Sequence, residues 1–536
     1  MNQSTLRRIC PWLVAGVAIA VYVNAIANGF ALDDEAIVAH NPLVHSLAGL
    51  GRAWTSPYWP DAPANISLYR PVTIATYAIE WVVWHGHPAG FHLVNVLLHA
   101  GVSALVVMLM LRLGASTAGA TLGGLLFAIH PVHVEAVAGI VGRAEVLMTL
   151  LVVIACLVHL ERDWPRVVRW LIAAACYFAA LLTKESAVAL PLLLLIVDAV
   201  DRTRRETMVK RVVDDAPLYL LLAGAFVFYL LLRHSVLGVY GGTNVAAGLE
   251  QASVATRLAT AMRVWLDYAR LMLFPRDLVA DYSPNVIVPA SWTQPGVWAG
   301  LALGAAVMLS ALILRRRAPW WAAGVAWFVA GMFIVSNVVI PVGIVLAERN
   351  FYLPSIAIAF VAAPIPEWIA ARRRPALSRS VMALAAIVVA AAAVRTWTRT
   401  PVWRSTTTLL TDLAAHHPES YRAQSFLGDL AMRRNDAHDA ATHYSSAYAM
   451  VPNPVIAESY AAALVQLRNW RDAERVAGAA CRIDYPSPCL YLIDALMAEG
   501  KPAEAKVVVD SIAPHVAPSA AMAARKARVD SAMIKR

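Results

Sequence analysis

Charge is scarce in this chain. Only 15% of its 536 residues are Asp, Glu, Lys or Arg, against roughly a quarter in soluble globular domains. With 59% hydrophobic residues, the composition is the reverse of what keeps a chain disordered. Cysteine is sparse as well: five in 536 residues exclude a small secreted scaffold stapled by disulfides. A concentrated basic patch of the kind that grips nucleic acid is also missing. The net charge of +10 is spread over short Arg and Lys clusters between apolar runs, which is how membrane topology is written.

What fills the chain instead is apolar runs. A hydrocarbon core about 30 Å thick is crossed by roughly 20 helical residues. Runs of that order lie near 10–31, 91–111, 117–138, 144–160, 167–183, 186–200, 216–236, 296–314, 319–340, 351–370 and 380–395. Eleven spans with the N-terminus inside, behind Arg7 and Arg8, place Arg112, Arg162, Arg166, Arg169, Arg202, Arg204, Arg205, Lys210, Arg211, Arg315 to Arg317 and Arg372 to Arg374 in cytoplasmic turns. That satisfies the positive-inside rule. Residues 257–275 are apolar but carry Arg257, Arg263, Asp267 and Arg270. At about 2.5–3.5 kcal/mol per charge at the bilayer centre, they read as an interfacial helix on the outer face. The first run exceeds the roughly 7–15 apolar residues of a signal peptide, so it is expected to remain as an uncleaved span.

After the last span the pattern changes to a repeat. Residues 421–454 fit the tetratricopeptide template, with Leu427 and Gly428 at the helix–helix contact, Ala440, Tyr444 and Ala447 on the second helix, and Pro452 as breaker. The small anchor Ala440 recurs 33 and then 32 residues on, as Ala473 and Ala505. The expected organisation is a membrane domain over 1–395, a connecting half-repeat over 396–420, a repeat domain of about three units over 421–518 and a tail over 519–536. The fold class is all-α, a polytopic helical bundle followed by an α-solenoid. With eleven spans the repeats lie outside, and such superhelices present a concave surface to polypeptides. Cys481 and Cys489 flank one inter-helix turn there. In an oxidising compartment they could pair; two small buried helix residues are the equal alternative.

Ionisable residues near membrane depth are costly, which makes them functional candidates, and here they cluster on the outer side. Leu32-Asp33-Asp34-Glu35 opens the first outer loop, which continues to Leu68-Tyr69-Arg70-Pro71. Adjacent carboxylates repel, which suits a general base; a helix cap is the equal alternative. His92, Asn95 and His99 share one helix face and read as a polar stripe inside the bundle. His130-Pro131-Val132-His133-Val134-Glu135 invites a zinc reading, but Pro131 breaks the register and the spacing offers no third ligand, so no metal is expected. In the following Gly142-Arg143-Ala144-Glu145, the planar fork of Arg143 matches phosphate oxygens. Thr183-Lys184-Glu185-Ser186 and Ala347-Glu348-Arg349-Asn350-Phe351-Tyr352 add two further charged clusters. Five clusters on one side of the membrane point to an anionic, lipid-linked substrate.

These same residues carry a resemblance. Asp33-Asp34, Tyr69-Arg70-Pro71, Phe91-His92-Leu93-Val94-Asn95, the run HPVHVEAVAGIVGRAE at 130–145, Lys184-Glu185 and Glu348 to Pro354 resemble the transmembrane-and-tetratricopeptide-repeat family of O-mannosyltransferases, over essentially the whole chain. The resemblance implies a membrane glycosyltransferase of the GT-C type. It would move mannose or another hexose from a polyprenyl-phosphate donor to Ser or Thr hydroxyls of exported proteins, with no cofactor and no metal. It maps the acidic residue near the acceptor hydroxyl onto Asp33 or Asp34, of which Asp34 is expected, and the donor-phosphate contacts onto Arg143, Lys184 and Arg349. Glu35, Arg70, His92, His130, His133, Glu135 and Glu185 are the supporting residues. The implied partners are the lipid-linked donor, an acceptor polypeptide at the repeats, and membrane lipids, without nucleic acid. The basic, Ala- and Arg-rich style points to a bacterial inner membrane, with the repeats on the periplasmic side. A lipid-linked oligosaccharide ligase and a non-catalytic membrane-anchored scaffold are the alternatives. A transporter, which needs midplane polar residues and duplicated halves, fits poorly.

Overall fold

A computed structural model describes residues 2–59, 68–201, 206–241, 245–249, 251–338, 342–372, 374–515 and 520–534. Arg202, Arg204, Arg205 and Arg373, counted above among the basic turns, and parts of the expected 319–340 span, 421–518 repeat domain and 519–536 tail lie outside the described residues. Among the described residues the fold is all-α and holds no strand; a lone backbone bridge pairs Arg482 with Tyr485. Two compact units emerge, Met1–Ala280 with Pro289–Leu409, and Asp281–Val288 with Leu410–Arg536.

The first unit is built for a bilayer, and the protein is an integral membrane protein. Seven described helices are long and apolar enough to cross: Gln3–Ala27, Pro88–Arg112, Ile140–Leu160, Ala216–Leu237, Pro295–Leu314, Pro354–Ala371 and Ser378–Arg404. A pair bent by 47°, Thr117–Ala128 with Pro131–Ala138, makes an eighth if it is one span. Three of the eleven expected spans fall short as continuous helices. Arg166–Leu181 has 16 residues, Leu190–Val200 has 11 and Pro319–Met332 has 14, whereas a straight crossing takes roughly 17–25. The charged Val254–Leu273 helix does not qualify as a span; Arg263 and Asp267 pair along its surface. A 14-residue helix at Pro71–Trp84, started by Pro71 and ended by His85 in the left-handed region, was not anticipated.

The second unit is a string of helix pairs: Tyr421–Arg433 with Ala437–Met450, Pro454–Gln466 with Trp470–Ala480, and Ser487–Ala498 with Pro502–Ile512, followed by Ala520–Ile534. Each helix packs chiefly on its neighbours in the chain, so the core is a row of small clusters. Ala440 with Tyr444, Ala473 with Val476, and Ala505 with Val509 each centre one. A side chain at Gly428 would come within 2.6 Å of the Tyr444 ring, which is why that contact takes glycine. The turns of the three pairs carry Asn435, Arg468 and Gly500 at positive φ, repeating the spacing of the alanine anchors. Residues 281–288 belong to this unit: Tyr421 N–H donates to Pro284 O at 2.8 Å, and Arg422 pairs with Asp281. Cys481 and Cys489 are joined in a disulfide.

Candidate active site

The acidic loop is positioned by the chain on either side of it. The first span ends in a tight turn over Val23–Ala27. The Asn24 and Asn28 side-chain amides then donate to Trp397 O at 2.9 Å and Thr400 O at 3.1 Å. Asp33 and Asp34 follow and face different surroundings. Asp34 is 1% exposed, its Oδ2 accepting from Ala31 N–H at 3.2 Å and its Oδ1 from Val141 N–H at 2.8 Å. Burial raises its pKa from 3.8 to about 7 against those backbone donors. Asp33 keeps a side chain 35% exposed, 3.7 Å from Arg349 Nη1.

The 130–145 motif folds back on itself. A side chain at Gly142 would come within 2.3 Å of Ala136 O, so glycine is what lets the Ile140–Gly142 turn lie against the Val134–Ala138 helix. This sends Arg143 and Glu145 in different directions. Arg143 is fully buried. It pairs with Glu80, donates from Nε to Asn95 Oδ1 at 2.8 Å and from Nη2 to Phe91 O at 2.8 Å, and lies over the Tyr77 ring. It ties three helices together inside the unit. Glu145 instead faces a cavity, where it pairs with Lys184.

The histidines are spent on packing contacts. His92 Nε2 lies 3.1 Å from Gly29 O. His130 Nδ1 accepts from Val132 N–H, which leaves the proton on Nε2, 3.2 Å from Met272 O. His133 Nε2 lies 2.7 Å from Ser355 Oγ, whose own hydroxyl donates to Tyr352 O, so this imidazole also carries its proton on Nε2. His99 bridges Ala128 O and the Tyr352 hydroxyl. Glu135 turns away from both motif histidines to hold Arg349, accepting from its backbone N–H and from Nη1, each at 2.9 Å. Glu35 accepts from the Thr406 hydroxyl.

The cavity, about 460 Å³, brings together Asp33, Arg70, Lys184, Glu185 and Arg349 of the expected residues. Asp34, Glu35, Arg143, His92, His130, His133 and Glu135 do not line it. Sequence reasoning missed Tyr58, Tyr229, Arg233 and Tyr240, and quoted Glu145 and Asn350 without assigning them a role. One wall is a single face of the 216–237 helix: Phe226, Tyr229, Leu230 and Arg233, spaced i, i+3, i+4, i+7. A lone Arg four residues after a Tyr inside an apolar run was the signal that could have found it.

Charge in the cavity is mostly balanced at short range. Arg70 meets both Glu185 oxygens, at 3.0 and 3.2 Å, and lies over Tyr58. Lys184 pairs with Glu145 and reaches Asn350 Oδ1 at 3.3 Å; burial pulls its pKa down while Glu145 pulls it up, with a net fall. Burial pushes Glu185 up, but Arg70 and then Arg233 outweigh it and leave this carboxyl below its ordinary value. Arg233 is the exception. It is 4% exposed, and among the described residues it makes no ion pair and its Nε has no hydrogen-bond partner; the guanidinium lies beside the buried Tyr229 hydroxyl and interacts with it.

No family model matches the chain. Curated proteins do. The chain is similar to animal proteins named protein O-mannosyl-transferase. It is 24% identical to F38B6.6 of Caenorhabditis elegans over 455 residues, 82% of this chain and 62% of that protein. Tmtc1 of Drosophila melanogaster is 25% identical over 437 residues, 64% of this chain and 50% of the relative. Human TMTC4 is 36% identical over 155 residues, 26% of this chain and 21% of its own. In each case the chain spans less than two thirds of the relative's length. Among solved structures, the APC/C hetero-tetramer Cut9–Hcn1 aligns over 85% of this chain and 93% of that one, but at 13% identity and a TM-score of 0.24 it carries no argument about the fold.

Proposed function

We propose that this protein is a membrane glycosyltransferase that moves mannose, or another single hexose, from a polyprenyl-phosphate donor to Ser or Thr hydroxyls of polypeptides. The observation that carries the reading is the buried Arg233 and Tyr229 pair on the cavity wall. Three of the cavity's cations are each held by a carboxylate, while Arg233 makes no ion pair among the described residues, leaves its buried Nε without a hydrogen-bond partner there and lies beside the Tyr229 hydroxyl. Unsatisfied buried donors call for a ligand, and an Arg fork fits phosphate oxygens. Phe226 and Leu230 extend the same helix face with an apolar strip suited to an isoprenoid chain. The names of the animal relatives supply the sugar and the acceptor class.

On this reading the base is Asp33 instead of the expected Asp34. Asp33 lines the cavity, whereas both Asp34 oxygens hold backbone N–H groups. The acceptor hydroxyl gives its proton to Asp33 as its oxygen bonds to the anomeric carbon. The bond from that carbon to the phosphate oxygen breaks, and the electron pair leaves on the phosphate. Arg233 and Tyr229 stabilise that growing charge, a contribution of about 2.7–4 kcal/mol where one such donor has been removed elsewhere. Arg349 offsets the charge of Asp33 from 3.7 Å, and Lys184 adds a second cation across the cavity. Arg143, buried behind this machinery, shapes it without touching substrate. A cavity of this size favours one sugar with its phosphate over an oligosaccharide.

We place the repeat unit on the outer, oxidising side of the membrane, a placement its disulfide supports, and there it receives the acceptor polypeptide. The Ala- and Arg-rich composition supports a bacterial inner membrane as its site. The test is transfer by the purified full chain in nanodiscs, with polyprenyl-phosphate mannose, a Ser/Thr peptide and mass spectrometry. The wild type adds single hexoses, Asp33→Asn loses at least 100-fold, and Asp33→Asn melts like the wild type. Larger glycan increments would establish the ligase reading, and full activity in Asp33→Asn would remove Asp33 as the base.

A further inference from the structure

Leu32, the residue before Asp33, has φ of 48°. An L side chain rarely adopts that left-handed conformation outside tightly determined surroundings. Those surroundings are visible. Leu32 N–H donates to Thr406 Oγ1 at 2.8 Å, and the same hydroxyl donates to Glu35 Oε1 at 2.5 Å. One Thr hydroxyl thus accepts on one side of the Asp33–Asp34 pair and donates on the other. Opposite it, the buried Asp34 carboxylate catches Ala31 N–H and Val141 N–H. Just upstream, Gly29 N–H donates to Arg404 O at 2.9 Å. Residues 31–35 are therefore held from outside by the Thr406 hydroxyl and from within by the Asp34 carboxylate, and of the five only Asp33 lines the cavity.

We infer that Thr406 is a positioning residue for the transfer reaction, a clasp that holds Leu32 in its left-handed conformation and so aims Asp33 at the acceptor hydroxyl. The inference rests on the proposed glycosyl transfer for its catalytic meaning and on the hydrogen bonds alone for the clasp. Thr406 touches no cavity space, so its loss acts through the orientation of Asp33. A small misplacement of a reacting group lowers the rate of the chemical step far more than the binding of a substrate held elsewhere. Val at 406 keeps the shape of Thr and can neither accept from Leu32 nor donate to Glu35. Ser keeps both bonds.

The experiment compares the full chain in nanodiscs with its Thr406→Val and Thr406→Ser forms by two readouts. Hydrogen–deuterium exchange of the peptide covering residues 28–40 is expected to speed up at least 10-fold in Thr406→Val and to stay near wild type in Thr406→Ser. Transfer from polyprenyl-phosphate mannose is expected to show kcat down 10- to 100-fold in Thr406→Val, with KM for the donor within about 3-fold, and recovery in Thr406→Ser. Unchanged exchange in Thr406→Val overturns the clasp. Faster exchange with wild-type kcat overturns its role in positioning and leaves the proposed function standing. A rise in donor KM with kcat intact does the same, because a donor-binding role is then the one Thr406 has. No transfer by the wild type itself overturns the proposed function, and the positioning role falls with it even where exchange responds.

Discussion

Asp33 and Asp34 share a peptide bond and little else. The first opens onto the cavity; the second is walled in with two backbone donors. For Asp34 the folded pKa is about 7 and the ordinary value 3.8, raised by burial. Its neutral form is therefore the one the fold favours, and between those pH values the folded chain binds more protons than the unfolded one. Stability from this group is full below about pH 4 and is lost as pH rises toward 7, by on the order of 4 kcal/mol at most. Asp34→Asn should flatten that slope in a pH series of thermal melts, and an unchanged slope would show that another group sets it. Which of the two acids faces the cavity was not legible in the sequence, because the chain there is non-repetitive, with Leu32 at a φ of 48° that no residue spacing announces. The burial of Arg143 against Glu80 was hidden for a related reason: a planar cation beside a glycine suits phosphate as well as it suits a buried carboxylate. Arg233 passed unnoticed because a single charge in a long apolar run looks like a span with one blemish.

Length and composition were enough to mark the helices that cross. Seven of the expected spans appear as helices of sufficient length, and an eighth as the bent pair. The three that fall short, at 166–181, 190–200 and 319–332, were apolar enough but too brief; hydropathy averages do not register where a helix stops. The tight turn at Gly142 was equally hidden, since spacing alone does not say that Ala136 lies against it. That contact makes a prediction about the whole 130–145 element. Gly142→Ala forces a methyl group to within 2.3 Å of a backbone oxygen, and overpacking of this kind costs about 1–3 kcal/mol. The variant should melt earlier and lose transfer, because Glu145 and Lys184 move with the turn. Gly51→Ala, where an added Cβ meets nothing within 4 Å, is the control that should do neither.

At the scale of the molecule, the repeat period was the most legible feature. Ala440, Ala473 and Ala505 are all fully buried, and the positive-φ turns at Asn435, Arg468 and Gly500 follow the same spacing. The disulfide was not legible, because a pair of cysteines across a turn is as compatible with two packed thiols. Closing a loop with a sequence separation of 8 constrains the unfolded chain by about 2–3 kcal/mol. Cys481→Ser and Cys489→Ser should each lower the melting of this unit by a comparable amount. In cells, thiol labelling without reductant should leave both cysteines unmodified; labelling of both would place the unit in a reducing compartment.

The pairing of cations with carboxylates in the cavity also bears on turnover. With Arg70, Lys184 and Arg349 each paired with an acid, Arg233 is the one lining cation without an ion pair among the described residues, and on the proposed reading it matches the single charge of a phosphodiester donor. On that reading the spent lipid would be a monoester, which near neutral pH gains a second negative charge for which the described lining residues hold no further unpaired cation. Such a donor would fit the electrostatics of the pocket better than its product, and the site would let go of the lipid once the sugar had left it.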